Sequence, residues 1–224
     1  MALVPALPAA TVVLLRDGAR GLEILYLRRN TAVDFHGGAW VFPGGRVDPE
    51  DFAAGAPEDV TAAARCAAVR EAREEAGLVL RADALVHFAH WTTSQGAPKR
   101  FSTWFFAGRA GDDAVRVDGG EISDARWLRP EEALAQQRAR EMELPAPTFV
   151  TSLGLAPFAD AKSVLAAWTA RPPEPFLPRI HPHADGRISL YQQDAAYAGG
   201  DLDTPGPRHR LWMVRSGWRY DRSF

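Results

Sequence analysis

Three carboxylates, Glu71, Glu74 and Glu75, stand three and four positions apart, so on a helix they share one face. Like charges at that spacing repel by roughly 0.2–0.5 kcal/mol per pair. Gly77 follows directly and marks a helix C-terminus, where the dipole also disfavours negative charge. A hard divalent cation against that face answers both penalties. Mg²⁺ and Mn²⁺ take carboxylate and water oxygens, and Mg²⁺ adds substrate phosphates to its shell. Ala67 and Ala64, one and two turns back, are small enough to leave room for a bulky anion, while Val69, Ala72 and Ala76 are placed to pack on a sheet. Plain solvation also produces acidic helix faces, and Arg70 and Arg73 could simply neutralise this one. The glycine-rich passage upstream, HGGAWVFPGGRVDPED, is what separates a site from a solvated surface.

The run Arg70-Glu71-Ala72-Arg73-Glu74-Glu75-Ala76-Gly77-Leu78 resembles the R-E-U-x-E-E-x-G-U half of the Nudix box, where U is apolar. Phe42-Pro43-Gly44-Gly45-Arg46-Val47-Asp48 is similar to the loop that opens it. The spacing between the halves departs from G-x5-E-x7-R-E. Counted from Gly45, the first acidic position falls on Asp51 rather than a glutamate, and 18 residues instead of seven separate it from Arg70. A loop after a strand and acids on the next helix is the context the motif requires. The inserted box resembles the branch of the Nudix superfamily that includes the mammalian peroxisomal coenzyme A diphosphatase. The likeness continues in Lys99-Arg100-Phe101-Ser102-Thr103-Trp104-Phe105-Phe106, in Glu121 through Trp127-Leu128, in Pro130-Glu131-Glu132-Ala133 and around Leu144-Pro145.

The resemblance implies a metal-dependent hydrolase that cuts a pyrophosphate bond in a nucleoside diphosphate linked to another moiety. Coenzyme A or an acyl-CoA is the preferred substrate. ADP-ribose, a nucleotide sugar or a dinucleoside polyphosphate is the alternative, and a nucleotide-sensing domain without catalysis is the second. Carried over by position, Glu71, Glu75 and Glu74 hold Mg²⁺ or Mn²⁺, with a backbone carbonyl at the Gly44-Gly45 turn brought close to the metal. Arg70 orients the first glutamate. Glu74 and Glu121 are the candidates for proton transfer, and Asp51 is the weakest carry-over. Arg100 and Lys99 are candidates for substrate phosphates, as are Arg28, Arg29 and Arg46 from the opposite approach. Trp91 and Trp104 could stack an adenine or fill the core. His181 and His183 lack an evident third metal ligand, His36 is placed at the site mouth, and Cys66 reads as a small core residue.

The elements that must position these groups follow from pattern. TVVLL (11–15) and LEILYL (22–27) read as paired strands joined at Asp17-Gly18, and Val41-Phe42 as a brief third. A helix is expected from Pro57, with Glu58 and Asp59 in its first turn. Strands at 84–91, 101–107 and 125–128 and a helix opening at Pro130 complete an α/β (α+β) arrangement, the Nudix-type α/β/α sandwich around a mixed sheet. That domain is expected over 8–145. Residues 146–224 form an extension packed on the core: two short helices within 147–170, the Pro-rich connector RPPEPFLPRIHPH, then short strands RISLY and LWMV. Trp212 and Trp218 fit a packed tail, or a homodimer interface.

The resemblance implies a small nucleotide-containing diphosphate as the partner, and the bulk properties point to no nucleic acid or membrane. A formal net charge of −2 over 224 residues gives no basic field for nucleic acid. The single cysteine excludes an internal disulfide framework. The opening MALVPALPAATVVLLR lacks a basic leader region and reads as a first strand, no stretch approaches a membrane span, and the cytoplasm is the expected compartment.

Overall fold

The computed structural model describes residues 4–32, 36–53 and 58–224. Their contacts form two compact units. The larger comprises Pro8–Ala89 and Thr103–Glu174, and the smaller comprises the N-terminal residues to Leu7, His90–Ser102 and Pro175–Phe224. The two helices expected to open the extension therefore fall in the larger unit. Pro57 lies outside the described residues.

In the larger unit the first two strands, β1 (Leu7–Gly18) and β2 (Gly21–Arg29), pair antiparallel from Gly18↔Gly21. The turn is Ala19-Arg20, two residues beyond the expected Asp17-Gly18, and the Gly21 that follows it has a positive φ of 113°. Next come β3 (Trp40–Val41) and β4 (Gly44–Arg46), then a 3₁₀ turn (Pro49–Asp51) and the long helix α1 (Val60–Ala76). After α1 lie β5 (Val86–Thr92), β6 (Phe101–Arg109), β7 (Ile122–Leu128) and the helices α2 (Pro130–Arg138), α3 (Ala146–Leu155) and α4 (Ala161–Thr169).

The strand register contains the feature that makes the site. Leu27 has two partners, Val41 of β3 and Ala125 of β7, so those strands lie on opposite edges of β2. Ile24 likewise has Leu15 of β1 opposite Leu128 of β7. β3 therefore lies on the β1 side of β2, while β4 pairs with β1 at Ala9↔Arg46, Ala10↔Gly45 and Thr11↔Gly44. β1 and β2 leave their hairpin together and then part, and the 40–46 segment fills the gap. On β1's far side β6 follows, in the order β3-β2-β1-β6-β5. Leu7 N–H donates to Arg100 O and Ala110 N–H to Leu15 O, so β1 and β6 advance together as a parallel pair in a mixed sheet.

Helices cover both faces. Leu25 and Leu27 pack with the alanines of α1, while Tyr26, one step out of phase, shares a 2.8 Å hydrogen bond with Ser152 of α3. This is the expected sandwich. No helix among the described residues is long and apolar enough to cross a membrane.

The Pro-rich connector holds two short strands, β8 (Glu174–Phe176) and β9 (Arg179–His183). With β10 (Gly186–Leu190), β11 (His209–Val214) and β12 (Gly217–Arg222), β9 makes an antiparallel four-stranded sheet ordered β12-β11-β10-β9. Asp194 and Arg210 form a bidentate pair at 2.6 and 2.7 Å, both side chains at most 3% exposed. Trp91 stacks on Phe176 at 3.9 Å as a core residue. Trp212 is half-buried and donates its indole N–H to Asp221 at 2.7 Å. His183 accepts the Asp185 N–H and lies edge-on to Trp212.

Candidate active site

Helix α1 is framed by two local signals. The Asp59 carboxylate accepts the Ala62 N–H at its start, and Gly77 closes it at φ 70° with N–H bonds back to Ala72 O and Arg73 O. Between them Ala63, Ala64, Ala67, Ala68, Ala72 and Ala76 are buried against the sheet. This corrects one expectation: Ala64 and Ala67, both 0% exposed, do not make room for substrate. Their smallness lets the helix axis approach the strands, and Glu71 and Glu75 continue the same stripe (64, 67, 71, 75) to the sheet's margin. Cys66 is exposed rather than in the core, because it points away from that stripe.

The stripe meets the backbone of 43–46. Pro43 O accepts both the Val12 N–H at 2.9 Å and the Thr11 hydroxyl at 2.7 Å. Gly44 and Gly45 lie extended in β4 rather than in a turn, and each is glycine for lack of space. A Cβ on Gly44 would overlap Ala10 O and lie 2.7 Å from Thr11 Cα, while one on Gly45 would overlap the Glu71 carboxylate. The helix and the strand thus touch through bare backbone, and Gly44 N–H donates to Glu75 Oε2 at 2.9 Å.

Glu75 is 5% exposed. Burial first, then the charges of Glu71 and Glu121, push its carboxyl up to about 8, against the opposing bond from Gly44 and the charge of Arg29. Burial likewise raises Glu71, with Arg70 opposing. Two acids that need a positive neighbour therefore sit side by side. Arg70 gives only part of what they need. Its Nη1 donates to Glu71 at 2.8 Å and to Glu74 at 3.0 Å, while Nε and Nη2 grip Asp51 at 3.2 and 3.0 Å and Nη2 also reaches Arg46 O at 2.9 Å. Asp51, the weakest carry-over, is one of the best-held residues here. Its carboxylate is 4% exposed and also accepts the Asp48 N–H. Glu74 stays 57% exposed outside the pair.

Glu121 joins the group from the loop before β7. Asp118 accepts the N–H groups of Glu121 and Ile122, and Asn30 N–H donates to Glu121 O at 2.7 Å. The side chain is 64% exposed, 3.4 Å from Arg29 Nη2, and its charge raises both Glu71 and Glu75.

The candidate phosphate ligands separate sharply. Arg100 is buried, its guanidinium spent on Thr93 O at 3.2 Å and Val4 O at 2.7 Å. It secures the N-terminal segment of the smaller unit, a structural task that the strand motif did not announce. Lys99 is exposed, its ammonium over the Phe101 ring at 5.5 Å. Arg46 is exposed beside Gly45. Arg28 is exposed too, but alternation along β2 puts it in phase with Tyr26, on the face away from α1, so it does not approach the carboxylates. The residue on the α1 face is its neighbour, Arg29, and the pattern LEILYLRR contains that signal. Trp104 is half-buried and packs on the α1 core cluster, and His36 is exposed with φ 56°.

Among the described residues no three His, Cys, Asp or Glu side chains converge as a closed metal cage. The donor set nevertheless suits Mg²⁺ or Mn²⁺, which bind through one or two carboxylates, waters and substrate phosphates. Glu75, buried, and Glu71, partly buried beside it, are both raised and could serve as such carboxylates, with Glu74 and Glu121 at the rim.

A NUDIX domain model matches residues 5–147. A curated relative, the putative nudix hydrolase 7 of Caenorhabditis elegans, is 27% identical. The match covers 62% of this chain and 57% of that protein, so the chain spans little more than half its relative's length. A crystal structure of a NUDIX hydrolase from Alicyclobacillus acidocaldarius superposes with TM-score 0.66 at 25% identity, covering 76% of this chain and 100% of that one. The NUDIX domain of Shewanella oneidensis NrtR, solved with ADP ribose, gives 0.51 at 14% identity over 67% and 86%, a likeness of fold alone. With the family model spanning well over half of the sequence, and with the glycine strand and acidic helix in contact, the chain belongs to the NUDIX domain family.

Proposed function

We propose that this chain is a divalent-cation-dependent hydrolase that splits the pyrophosphate bond of a nucleoside diphosphate linked to another moiety. The observation that carries the reading is the Glu71–Glu75 pair, two adjacent raised carboxyls held against glycine backbone, an arrangement that a bound Mg²⁺ or Mn²⁺ would relieve. When bound, such an ion neutralises diphosphate charge and lowers the pKa of a coordinated water. The chain's own residues do the rest. Glu71 and Glu75 would hold the cation, and Gly44 N–H fixes the Glu75 carboxylate through its Oε2. Asp51 locks Arg70, which steadies Glu71 and Glu74. Glu121, the most exposed carboxylate of the group, is the candidate to accept the proton of the attacking water. The water oxygen joins one phosphorus and the bridging P–O bond breaks, leaving two phosphomonoesters.

Coenzyme A or an acyl-CoA is the preferred substrate, giving 3′,5′-ADP and a phosphopantetheine. Its support is the insertion between Asp51 and Arg70 together with the Lys99–Phe106 segment, both of which resemble the CoA-cleaving branch.

The test is a screen of diphosphate substrates with Mg²⁺ or Mn²⁺, products identified by mass. Release of 3′,5′-ADP from CoA supports the full reading. Turnover of ADP-ribose, a nucleotide sugar or a dinucleoside polyphosphate keeps the chemistry and replaces the substrate. Tight nucleotide binding without turnover sinks the enzyme reading in favour of a sensor.

A further inference from the structure

Among the described residues, Arg70 and Arg29 are the arginines paired with the carboxylates of this site. A guanidinium carries five N–H groups, and those of Arg70 are committed to Asp51, Glu71, Glu74 and Arg46 O. Arg29 spends Nη2 on a 3.4 Å contact with the exposed Glu121, long for a charged pair. Its Nε–H is buried and has no acceptor among the described residues, a costly state for a charged donor. The side chain is only 18% exposed.

Its orientation has a cause in the strand. Arg29 is in phase with Leu25 and Leu27, which pack on α1. The pairing of β2 with β7 shifts register between Arg28 and Arg29, passing from Arg28↔Asp124 to Arg29↔Ile122. The unpaired extra residue is Ser123 of β7, so β2 keeps its alternation there and Arg29 stays on the α1 face, where its charge offsets in part those of Glu75 and Glu121.

We propose that Arg29 is the substrate-binding arginine of this site, its Nε–H and Nη donors taking non-bridging oxygens of the diphosphate and giving up the weak contact with Glu121 as they do so. The inference rests on the pyrophosphate-hydrolase reading and adds to it the residue that recognises the anion. The planar fork fits two phosphate oxygens. Placed among carboxylates, it would bind a diphosphate only together with the cation that screens them.

The test is calorimetric titration with imidodiphosphate, a non-hydrolysable diphosphate, at saturating Mg²⁺, paired with Mn²⁺ titration alone. Wild type is compared with Arg29→Gln and with Arg29→Lys, which keeps the charge and folding support if the first variant is unstable. Loss of the fork is expected to weaken imidodiphosphate roughly 10- to 100-fold in Arg29→Gln, with a smaller loss in the lysine variant. Mn²⁺ alone should bind as tightly as in wild type or more tightly, since a neighbouring positive charge is gone. Unchanged imidodiphosphate affinity overturns the inference, as does a parallel loss of Mn²⁺ and imidodiphosphate, the mark of a structural role. A wild-type chain that binds Mn²⁺ without imidodiphosphate also overturns it. One that binds neither overturns the hydrolase reading itself.

Discussion

The Gly44 N–H meets Glu75 Oε2 at 2.9 Å, across a gap that exists only because residues 44 and 45 carry no side chains. The acidic helix is held to the sheet at this end by main chain, and the two glycines guard different things. Gly44 guards the packing of β4 on β1, and Gly45 guards the position of Glu71.

Alanine at the two positions should therefore fail in different ways. Gly44→Ala places its Cβ against the backbone of Ala10 and Thr11, which cannot swing aside, and is expected to cost about 1–3 kcal/mol in urea unfolding. Gly45→Ala meets only the end of the flexible Glu71 side chain. It should leave stability within roughly 1 kcal/mol of wild type while weakening Mn²⁺ binding. Equal stability losses would contradict the assignment.

Glu75 predicts a pH signature in the cation-free chain. Its folded carboxyl is raised to about 8 from 4.5. Its contribution to stability is thus full below pH 4.5, where both states are protonated, and is lost as pH rises through about 8. Glu75→Gln should raise the cation-free Tm at pH 8–9 relative to wild type and flatten this dependence, while catalysis falls by orders of magnitude. Added Mg²⁺ should restore wild-type Tm at high pH but leave the variant unmoved. A Tm difference that does not change between pH 5 and 9 would refute the buried, raised carboxyl.

Asp51 is expected to act through Arg70. Asp51→Ala removes two charge-assisted bonds from the guanidinium and one from the Asp48 N–H, for a loss of about 2–3 kcal/mol. Turnover should fall even at saturating substrate as Glu71 and Glu74 lose their fixed partner. Asp51→Glu, which restores the residue usual at this position of the box, should recover part of both. Identical losses in the two variants would reduce Asp51 to a packing residue.

The smaller unit has its own buried charge. Asp194 receives Arg210 through two bonds and the N–H groups of His209 and Ala196, both at 2.8 Å. Asp194→Ala leaves the guanidinium buried without its counter-ion, at a cost of about 3–5 kcal/mol. Hydrogen exchange should show the loss in β10 and β11. Wild-type protection there would contradict it.

The parts of the site that could be read from sequence are those made by neighbours in sequence. Helix α1 announces itself by its alanines and Gly77, and Glu71, Glu74 and Glu75 share a face by spacing alone. Small residues misled where their meaning depends on what lies opposite. Ala64 and Ala67 read as vacant space, yet they are fully buried in the core between helix and sheet. Arg100 could not be placed from its strand motif, because its fate is set by the carbonyls of Val4 and Thr93, one of them 96 positions away. Arg29 was named only as one of several candidate arginines, although the alternation of LEILYLRR puts it alone of the adjacent pair in phase with Leu25 and Leu27. Two adjacent arginines hide that phase until the buried leucines are known.

The Gly44–Glu75 bond also bears on how this protein can vary. Its donor is an amide that every amino acid except proline supplies, so ordinary substitution at position 44 leaves the donor chemistry in place and alters only the clearance around it. Inheritance at this point acts on volume rather than on functional groups, and a lineage could redesign the surrounding loops for new substrates while the anchor of the acidic helix stays the same.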